Sequence, residues 1–368
     1  MDSNYDNVIA EATTLLSNAI LENESELRKR VKTLDSDVKE LLRQVGLGVM
    51  ADLFRVLAEK LTAENESQGL KVNRRRTTVL RVVEQRAQEA ETYVQERLAR
   101  TREDFDEPLA TRPGADELLV ELDGCEIRTG TLVPARNRKR TEVLKLPCRK
   151  RVTAWRDVRV GLAGPVSAPD ERTYAASMSD YPRVVRQLFN AACDQNLSSR
   201  TQVTAVADGG NGLREELEAQ FPGLRFVLDQ PHLLEHLYEV ADAQGLKNQA
   251  RDSWVNQTLA RLDKGGVHDV LRDLRKHKGR GKKRTERFVK HLTRFADAVH
   301  YEAVREAGLP QGSGEVESCH RWLPQKRLKL PGAWWRPEMV NPMLALRVLR
   351  ANGWWRDFWQ ERASQAAA

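Results

Sequence analysis

Cysteine, aromatic residues and long apolar runs are all scarce in this chain of 368 residues. The cysteines form no CxxC pair, which excludes a zinc ribbon and a disulfide framework and fits a reducing compartment; they are Cys125, Cys148, Cys193 and Cys319. No apolar stretch approaches the length of about 18 residues that a transmembrane helix needs, and the N-terminal MDSNYDN has no signal-peptide pattern. The sequence therefore predicts a soluble protein of the cytoplasm.

Positive charge, by contrast, is in surplus. The net charge is +7, charged residues make up 31% of the chain, and the sequence pI is about 9.2. Such a surplus favours a polyanionic partner such as nucleic acid. The basic residues recur in clusters, each of which taken alone is as readily a solvated loop; the clusters are Arg74–Arg76, Arg136–Arg140, Arg149–Arg151 and Lys276–Arg287.

Composition and periodicity divide the chain into four predicted segments. Residues 1–110 have apolar positions at helical spacing and predict a helical N-terminal region with a possible role in DNA binding. The turn-forming TRPGAD stretch marks a boundary, and residues 111–245 predict the first part of an α/β core. Residues 246–308 predict a helical, basic insertion. Residues 309–368 are expected to complete the core and to add C-terminal helices, and six of the eight tryptophans lie in this segment.

The order of elements within the core predicts its fold class. The expected strands are Leu118–Leu122, Ile127–Val133, Trp155–Leu162, Gln202–Ala207 and Leu224–Leu228, with helices after the third, fourth and fifth. Three antiparallel-type strands followed by alternating helices and strands are typical of an RNase H-like fold. We therefore predict an α/β protein with a mixed five-stranded sheet flanked by helices, an all-α N-terminal region and an all-α insertion before a glutamate-bearing helix.

Three acidic residues are the candidates for a catalytic site. Asp123 and Asp208 each follow an apolar strand and precede a glycine, and Glu317 lies in the helix start GSGEVE. Each Asp-Gly alone is most often a turn. Together, however, the first-strand and fourth-strand acids of such a sheet lie on adjacent strands. Carboxylates about 5 Å apart repel by roughly 3 kcal/mol at an effective dielectric of about 20, which predicts two bound Mg²⁺ or Mn²⁺ ions that act on a phosphodiester.

At these residues the sequence resembles the ISKra-type group of bacterial insertion-sequence transposases, which carry a DDE catalytic core. The resemblance spans roughly residues 116–360 and is carried by ELDG, VADGGNGL, FVLDQPHLLEHLYEVA, GSGEVES, QKRLKLPGAWW and LALRVLRANGWWRDFW. It implies metal-dependent DNA cleavage and strand transfer by Asp123, Asp208 and Glu317. It also implies double-stranded DNA with terminal inverted repeats as partner, a homodimer on that DNA, and a place at the nucleoid.

The chain departs from these relatives at two points. They commonly have an N-terminal cysteine-rich zinc-binding segment, whereas no cysteine precedes Cys125 here. Pro324 lies where the helix that carries Glu317 is expected to continue, and a proline kinks or ends a helix. A second interpretation therefore stays open, namely a catalytically impaired or truncated relative that binds DNA.

The stretch HLLEH carries a third interpretation. His232 and His236 at i and i+4, with Glu235 between them, fit the HxxEH pattern of zinc metallopeptidases. In the transposase interpretation, Asp229 and His232 instead resemble a D-x-x-H signature near the second acid. There Asp229, His232 and His236 would support the acids or position DNA, or simply stabilise the helix.

Basic residues near these motifs are the candidates for phosphate contacts. They are Lys282, Lys283, Arg284 and Arg287 of the insertion, Arg136, Arg138, Lys139 and Arg140, and Lys326, Arg327 and Lys329 after Glu317. Each neutralised phosphate is expected to add about 0.9 to the salt dependence of binding. Trp334 and Trp335 are candidates for stacking on an unpaired base, although large aromatic residues more often pack in a core or an interface.

Overall fold

The computed structural model describes residues 75–98, 114–134, 149–210 and 212–367. The described chain divides into two compact units. One unit contains residues 75–95 and 345–367, and the other extends from residue 96 to residue 344, so the candidate site residues all belong to the second unit. Of the helices described, none is long and apolar enough to cross a membrane.

The second unit is built on a mixed sheet of five strands in the order β3-β2-β1-β4-β5. The strands are β1 (Glu117–Pro134), β2 (Arg149–Pro165), β3 (Thr173–Ser177), β4 (Gln202–Ala207) and β5 (Arg225–Leu228). β2 pairs antiparallel with β1 and with β3, while β4 pairs parallel with β1 and with β5. The predicted α/β class with a five-stranded mixed sheet is confirmed.

Helices flank this sheet and continue beyond it. In chain order they are α1 (Arg75–Arg97), α2 (Tyr181–Asp194), α3 (Leu213–Gln220), α4 (Gln230–Gln244), α5 (Asn248–Asp263), α6 (Val267–Lys276), α7 (Lys282–Arg294), α8 (Tyr301–Glu306), α9 (Gly314–His320), α10 (Lys326–Leu328), α11 (Val340–Ala351) and α12 (Trp355–Ala367). A π-helical turn, Arg321–Gln325, joins α9 to α10, and a 3₁₀ turn, Pro337–Met339, precedes α11. Between residues 245 and 307 all regular structure is helical.

The core lies on both faces of the sheet. A β-carbon on Gly161 of β2 would lie 3.2 Å from Leu188, which places α2 against one face. On the other face, the side chain of Glu121 in β1 accepts a hydrogen bond from the backbone of Val316 in α9. Residues 118–122 of β1 and 203–207 of β4 are accordingly buried, as a sheet covered on both faces requires.

The first predicted strand boundary is wrong. Asp123-Gly124 makes no turn, and the two strands expected around it form the single strand β1 of 18 residues. Asp123 pairs with Val160 and Gly124 with Arg159, so the long partner strand β2 holds the Asp-Gly pair extended. The short strand β3 was not predicted from the sequence. The predicted number of strands, five, is therefore correct, although two of the predicted strands form one and β3 takes the remaining place.

The helix that carries Glu317 ends at His320, four residues before Pro324. The chain then continues through the π-helical turn that contains the buried Pro324. Proline has no N–H to give to the carbonyl group four residues earlier, so a wider turn accommodates it. The expected interruption of this helix is therefore present.

In the first unit, α1 buries Ala87, Ala90 and Val94, which recur at helical spacing. Its Tyr93 ring meets the ring of Phe358 in α12 edge to face, at a centroid distance of 5.5 Å. The remainder of the N-terminal region predicted to be helical lies outside the described residues.

Candidate active site

Asp123 and Asp208 lie beside each other at one edge of the sheet. The parallel pairing of β1 with β4 runs as far as Glu121 opposite Val206, and the same register extended by two residues sets Asp123 opposite Asp208. Burial raises the pKa of Asp123, and the negative charge of Asp208 raises it further, while His320 and His232 oppose the shift. Two of the three predicted acids are thus brought together.

The loop after β4 depends on its two glycines. Gly209 has a φ of +76°, and a β-carbon there would lie 2.9 Å from Leu228 and from Phe295. The N–H of Gly210 donates to Oδ1 of Asp208 over 2.8 Å and so fixes the orientation of that carboxylate. The hydroxyl of Tyr181 lies 3.0 Å from the position that a β-carbon on Gly210 would take, so a side chain there would require Tyr181 to shift by a few tenths of an ångström.

Glu317 lies on α9 and is exposed. The start of α9 is fixed at two points. The N–H of Val316 donates to Oε2 of Glu121 over 2.8 Å, and Ser313 donates from its N–H and its hydroxyl to Oδ2 of Asp229 over 2.6 and 2.5 Å. These contacts hold α9 over β1, the strand that carries Asp123.

The residue of α9 that reaches Asp123 is His320 rather than Glu317. Nδ1 of the buried His320 lies 3.4 Å from Oδ2 of Asp123. Glu317, one helical turn earlier, is close enough for its charge to act on His320. Across the described ranges, no three His, Cys, Asp or Glu side chains converge into a group that could hold a metal ion, so Glu317 does not join the two aspartates.

The neighbouring Glu315 has a separate, structural contact. Its carboxylate takes two hydrogen bonds from Arg172, of 2.7 Å from Nε and 3.0 Å from Nη2. The guanidinium of Arg172 is buried and also donates to three backbone carbonyl oxygens of the loop between β2 and β3. Glu315 is therefore engaged by Arg172, whereas Glu317, the glutamate that the resemblance assigns to catalysis, is exposed.

The buried Asp229 and the half-buried His232 form a pair close to the aspartates. Asp229 caps α4 through the N–H of His232 and lies 3.0 Å from Nδ1 of the same residue. Burial alone would raise the pKa of Asp229, but hydrogen bonds from His232 and Ser313 outweigh it and lower the pKa to about 2. The bond to Asp229 raises the pKa of His232 to about 9, against the effect of burial, and Asp208 and Asp123 add to the rise.

The second histidine of HLLEH has different neighbours. Nδ1 of His236 lies 3.1 Å from Glu239 and 3.2 Å from a guanidinium nitrogen of Arg284, and its ring packs edge to face on His291. Burial lowers the pKa of His291 to about 4, with a further contribution from His236. The Nδ1 atoms of the two HLLEH histidines therefore have different partners: Asp229 for His232, and Glu239 and Arg284 for His236.

The predicted phosphate-binding residues have mixed surroundings. In α7, Lys283 and Arg287 are exposed, Lys282 lies 3.7 Å from Glu286, and Arg284 pairs with Glu239. Lys326, Arg327 and Lys329 are all exposed after the π-helical turn, and the charge of Lys329 acts on His320. Arg136, Arg138, Lys139 and Arg140 lie outside the described residues.

Sequence reasoning did not single out His320, His291 or Glu121. His320 was detectable in principle, because it follows Glu317 by three residues and a helix places such residues on one face. Burial raises the pKa of Glu121 to about 8, and only the tertiary structure shows that burial. No protein-family model matches the chain, and no curated protein matches it.

Proposed function

We propose that the protein is a DDE-type transposase that cuts and joins DNA with divalent cations held by Asp123, Asp208 and Glu317. The observation that carries the proposal is the register of β1 and β4, which, extended by two residues beyond Glu121 and Val206, brings Asp123 next to Asp208. The strand order agrees with an RNase H-like sheet, whose first-strand and fourth-strand acids are catalytic. The helix with the third acid lies over the same strand, held there by Glu121 and Asp229.

Asp123 and Asp208 supply two of the oxygen donors that a hard cation would need. Adjacent carboxylates repel each other without a counter-charge, and oxygen donors of this kind suit Mg²⁺ or Mn²⁺. When bound, a pair of such ions would activate the attacking hydroxyl and stabilise the departing oxygen of a phosphodiester. Glu317 is the ligand that must still turn toward the aspartates, and no basic side chain among the described residues pairs with it.

The remaining residues would orient this site. The N–H of Gly210 donates to one oxygen of Asp208, and Nδ1 of His320 lies 3.4 Å from Oδ2 of Asp123. The positive charge of His232, next to both aspartates, would offset part of their repulsion and attract a phosphate. We propose double-stranded DNA with terminal inverted repeats as the substrate and a homodimer on that DNA as the active form.

The test is a cleavage and strand-transfer assay on DNA that carries the coding region with its flanks. Wild-type protein with Mg²⁺ or Mn²⁺ is expected to cut and join this DNA, and Asp208→Ala is expected to do neither. Asp269→Ala removes an exposed acid of α6 and serves as the matched control, with wild-type activity expected. Cutting by Asp208→Ala at the wild-type rate would exclude the assignment.

A second candidate is a relative that binds DNA without cutting it. The separation of Glu317 from the two aspartates is the observation that favours it. The same assay separates the two candidates. If the protein only binds DNA, the wild-type protein will bind the substrate without any cation-dependent cleavage.

A further inference from the structure

The β1–β2 hairpin extends well beyond the sheet. β1 pairs with β4 only over Glu117–Glu121, whereas its pairing with β2 continues to Pro134 opposite Arg149. The outer part, residues 127–134 with 149–156, is therefore a two-stranded ribbon, which we call the arm. It begins four residues after Asp123, and so it starts at the edge of the sheet that holds the candidate active site.

We propose that the arm is a DNA-binding element that holds a duplex next to the active site. Its two strands contain five basic residues and no acidic residue. Arg128, Lys150, Arg151 and Arg156 are all exposed. No carboxylate of the described residues pairs with any of these four side chains, so their charge is available to a polyanion.

Apolar side chains lie among these charges. Trp155 is 62% exposed, Leu132 49% and Val152 48%. Arginine and aromatic residues are also enriched in surfaces that bind protein, but the centre of such a surface is typically depleted of charged residues. Basic residues interleaved with an exposed tryptophan fit nucleic acid better, because the bases and sugars offer apolar surface between phosphates.

The segment that contains Trp335 forms an isolated parallel bridge with the arm at Thr129. The N–H of Gly130 donates to the carbonyl oxygen of Trp335 over 2.8 Å, and the N–H of Trp335 donates to that of Arg128 over 3.0 Å. The guanidinium of Arg151 lies 4.4 Å from the ring centroid of Trp334. The segment that follows the helix of Glu317 thus packs along the arm, and Trp334 contributes to this packing.

The dimensions suit a duplex that also reaches the active site. A two-stranded ribbon fits the major groove of B-DNA. At a rise of about 3.4 Å per residue, Arg128 lies roughly 17 Å along the strand from Asp123 and Pro134 roughly twice as far. Because base pairs are about 3.4 Å apart, the arm would contact DNA roughly five to ten base pairs from the cleaved bond. This inference rests on the proposed function, which supplies the DNA.

The test measures binding of a labelled, mixed-sequence DNA duplex over a salt series, in the full chain carrying Asp208→Ala so that the duplex is not cut. The arm variant is Arg128→Gln, Lys150→Gln and Arg156→Gln together. The control variant is Arg183→Gln, Arg186→Gln and Arg200→Gln, which removes the same charge from exposed positions outside the arm. The arm variant is expected to lower the salt slope by about 2 to 3, and the control by less than about 1.

Substitution of Trp155 gives a second test, because its expected effect on duplex affinity does not depend on charge. Trp155→Ala is expected to weaken duplex binding several-fold at an unchanged salt slope, since an apolar contact releases no counterions. Trp155→Phe is expected to retain most of the affinity. Melting temperatures within the error of the parent show that each variant is folded.

Failure of this inference can be distinguished from failure of the proposed function. Equal slopes for the arm and control variants, in a parent protein that binds the duplex, overturn the inference and leave the proposed function standing. A parent that binds no duplex at low salt overturns both. The arm variant is also tested with single-stranded DNA. If it loses binding to single-stranded DNA alone and binds the duplex as the parent does, the assignment to duplex DNA is overturned.

Discussion

Glu315 and Glu317 lie two positions apart on α9 and are expected to respond differently to substitution. Glu315→Ala leaves the buried guanidinium of Arg172 without its carboxylate partner, which is expected to cost about 2 kcal/mol of unfolding free energy. Glu317→Ala removes no ion pair, so its stability is expected to stay within about 0.5 kcal/mol of wild type. Urea unfolding measures both values.

The effects of these two substitutions on DNA cleavage are expected in the opposite order. Glu315→Ala is expected to cut DNA at temperatures where it is folded, and Glu317→Ala is expected to lose cutting while remaining folded. If Glu315→Ala were the inactive, stable variant, the third acid would be Glu315 instead.

The Asp229–His232 pair predicts a pH dependence of stability in cation-free protein. The pKa of His232 is raised from about 6.5 to about 9, so its contribution is complete below about pH 6.5 and is lost as the pH rises through about 9. The pKa of Asp229 is lowered from about 3.8 to about 2, so its contribution is present above about pH 3.8 and is lost as the pH falls through about 2. The pair therefore stabilises the fold most between about pH 4 and 6.5.

His232→Gln tests the alkaline side of this window. The variant is expected to be less stable than wild type at pH 6 and to lose little further stability between pH 6.5 and 9. His268→Gln, at an exposed histidine of α6, is the control and is expected to keep the wild-type profile. Parallel profiles for His232→Gln and wild type would show that the pair contributes no such linkage.

At the scale of elements, the contact between the arm and the Trp334–Trp335 segment depends on Gly130. A β-carbon on Gly130 would lie 2.8 Å from Cε3 of Trp334, closer than side-chain atoms can pack. Gly130→Ala is therefore expected to destabilise the protein by about 1 to 2 kcal/mol by displacing the indole. Thermal unfolding followed by circular dichroism would measure the change.

Gly124→Ala is the matched control for this prediction, because Gly124 lies in the same strand and its added β-carbon would find its nearest neighbour at 4.0 Å. Its stability is expected to equal or slightly exceed that of wild type, since glycine within a strand is unfavourable. If the two variants had the same stability, Trp334 would not be packed against Gly130.

Element boundaries show where sequence reasoning succeeded and failed. β4 was predicted with its observed bounds, and the helices expected after the third and fourth predicted strands are present as α2 and α3, because apolar periodicity and local breakers define them. The break at Asp123-Gly124 was wrong, because pairing with β2 over the whole length of β1 outweighs the local turn preference of Asp-Gly. The short strand β3 has no strong pattern of its own and exists as the partner of β2.

At the scale of the whole molecule, the paired aspartates predict a response to divalent cations. Mg²⁺ or Mn²⁺ at a hundredfold excess over its Kd is expected to raise the unfolding free energy by about 2.7 kcal/mol, because the ion binds only the folded protein. Removal with EDTA is expected to reverse the change. Calorimetric melting curves measure it.

Asp208→Ala is expected to abolish this stabilisation, whereas Asp269→Ala, on an exposed face of α6, is expected to retain it. Equal stabilisation of all three proteins would place the cation elsewhere. Because this experiment needs no DNA, it tests the cation site independently of the cutting assay.

The amino-acid sequence alone was enough to infer the α/β class, the positions of most core elements and the place of Asp208 at the end of β4, because short-range periodicity and the residues at element ends carry that information. The three-dimensional fold was needed to show that β1 continues past Asp123 as one strand, that its register with β4 brings Asp123 next to Asp208, and that His320 rather than Glu317 contacts Asp123. These outcomes depend on pairings between residues far apart in the chain. Their energies arise from burial and from contacts such as that of Glu121 with Val316, which no local pattern contains.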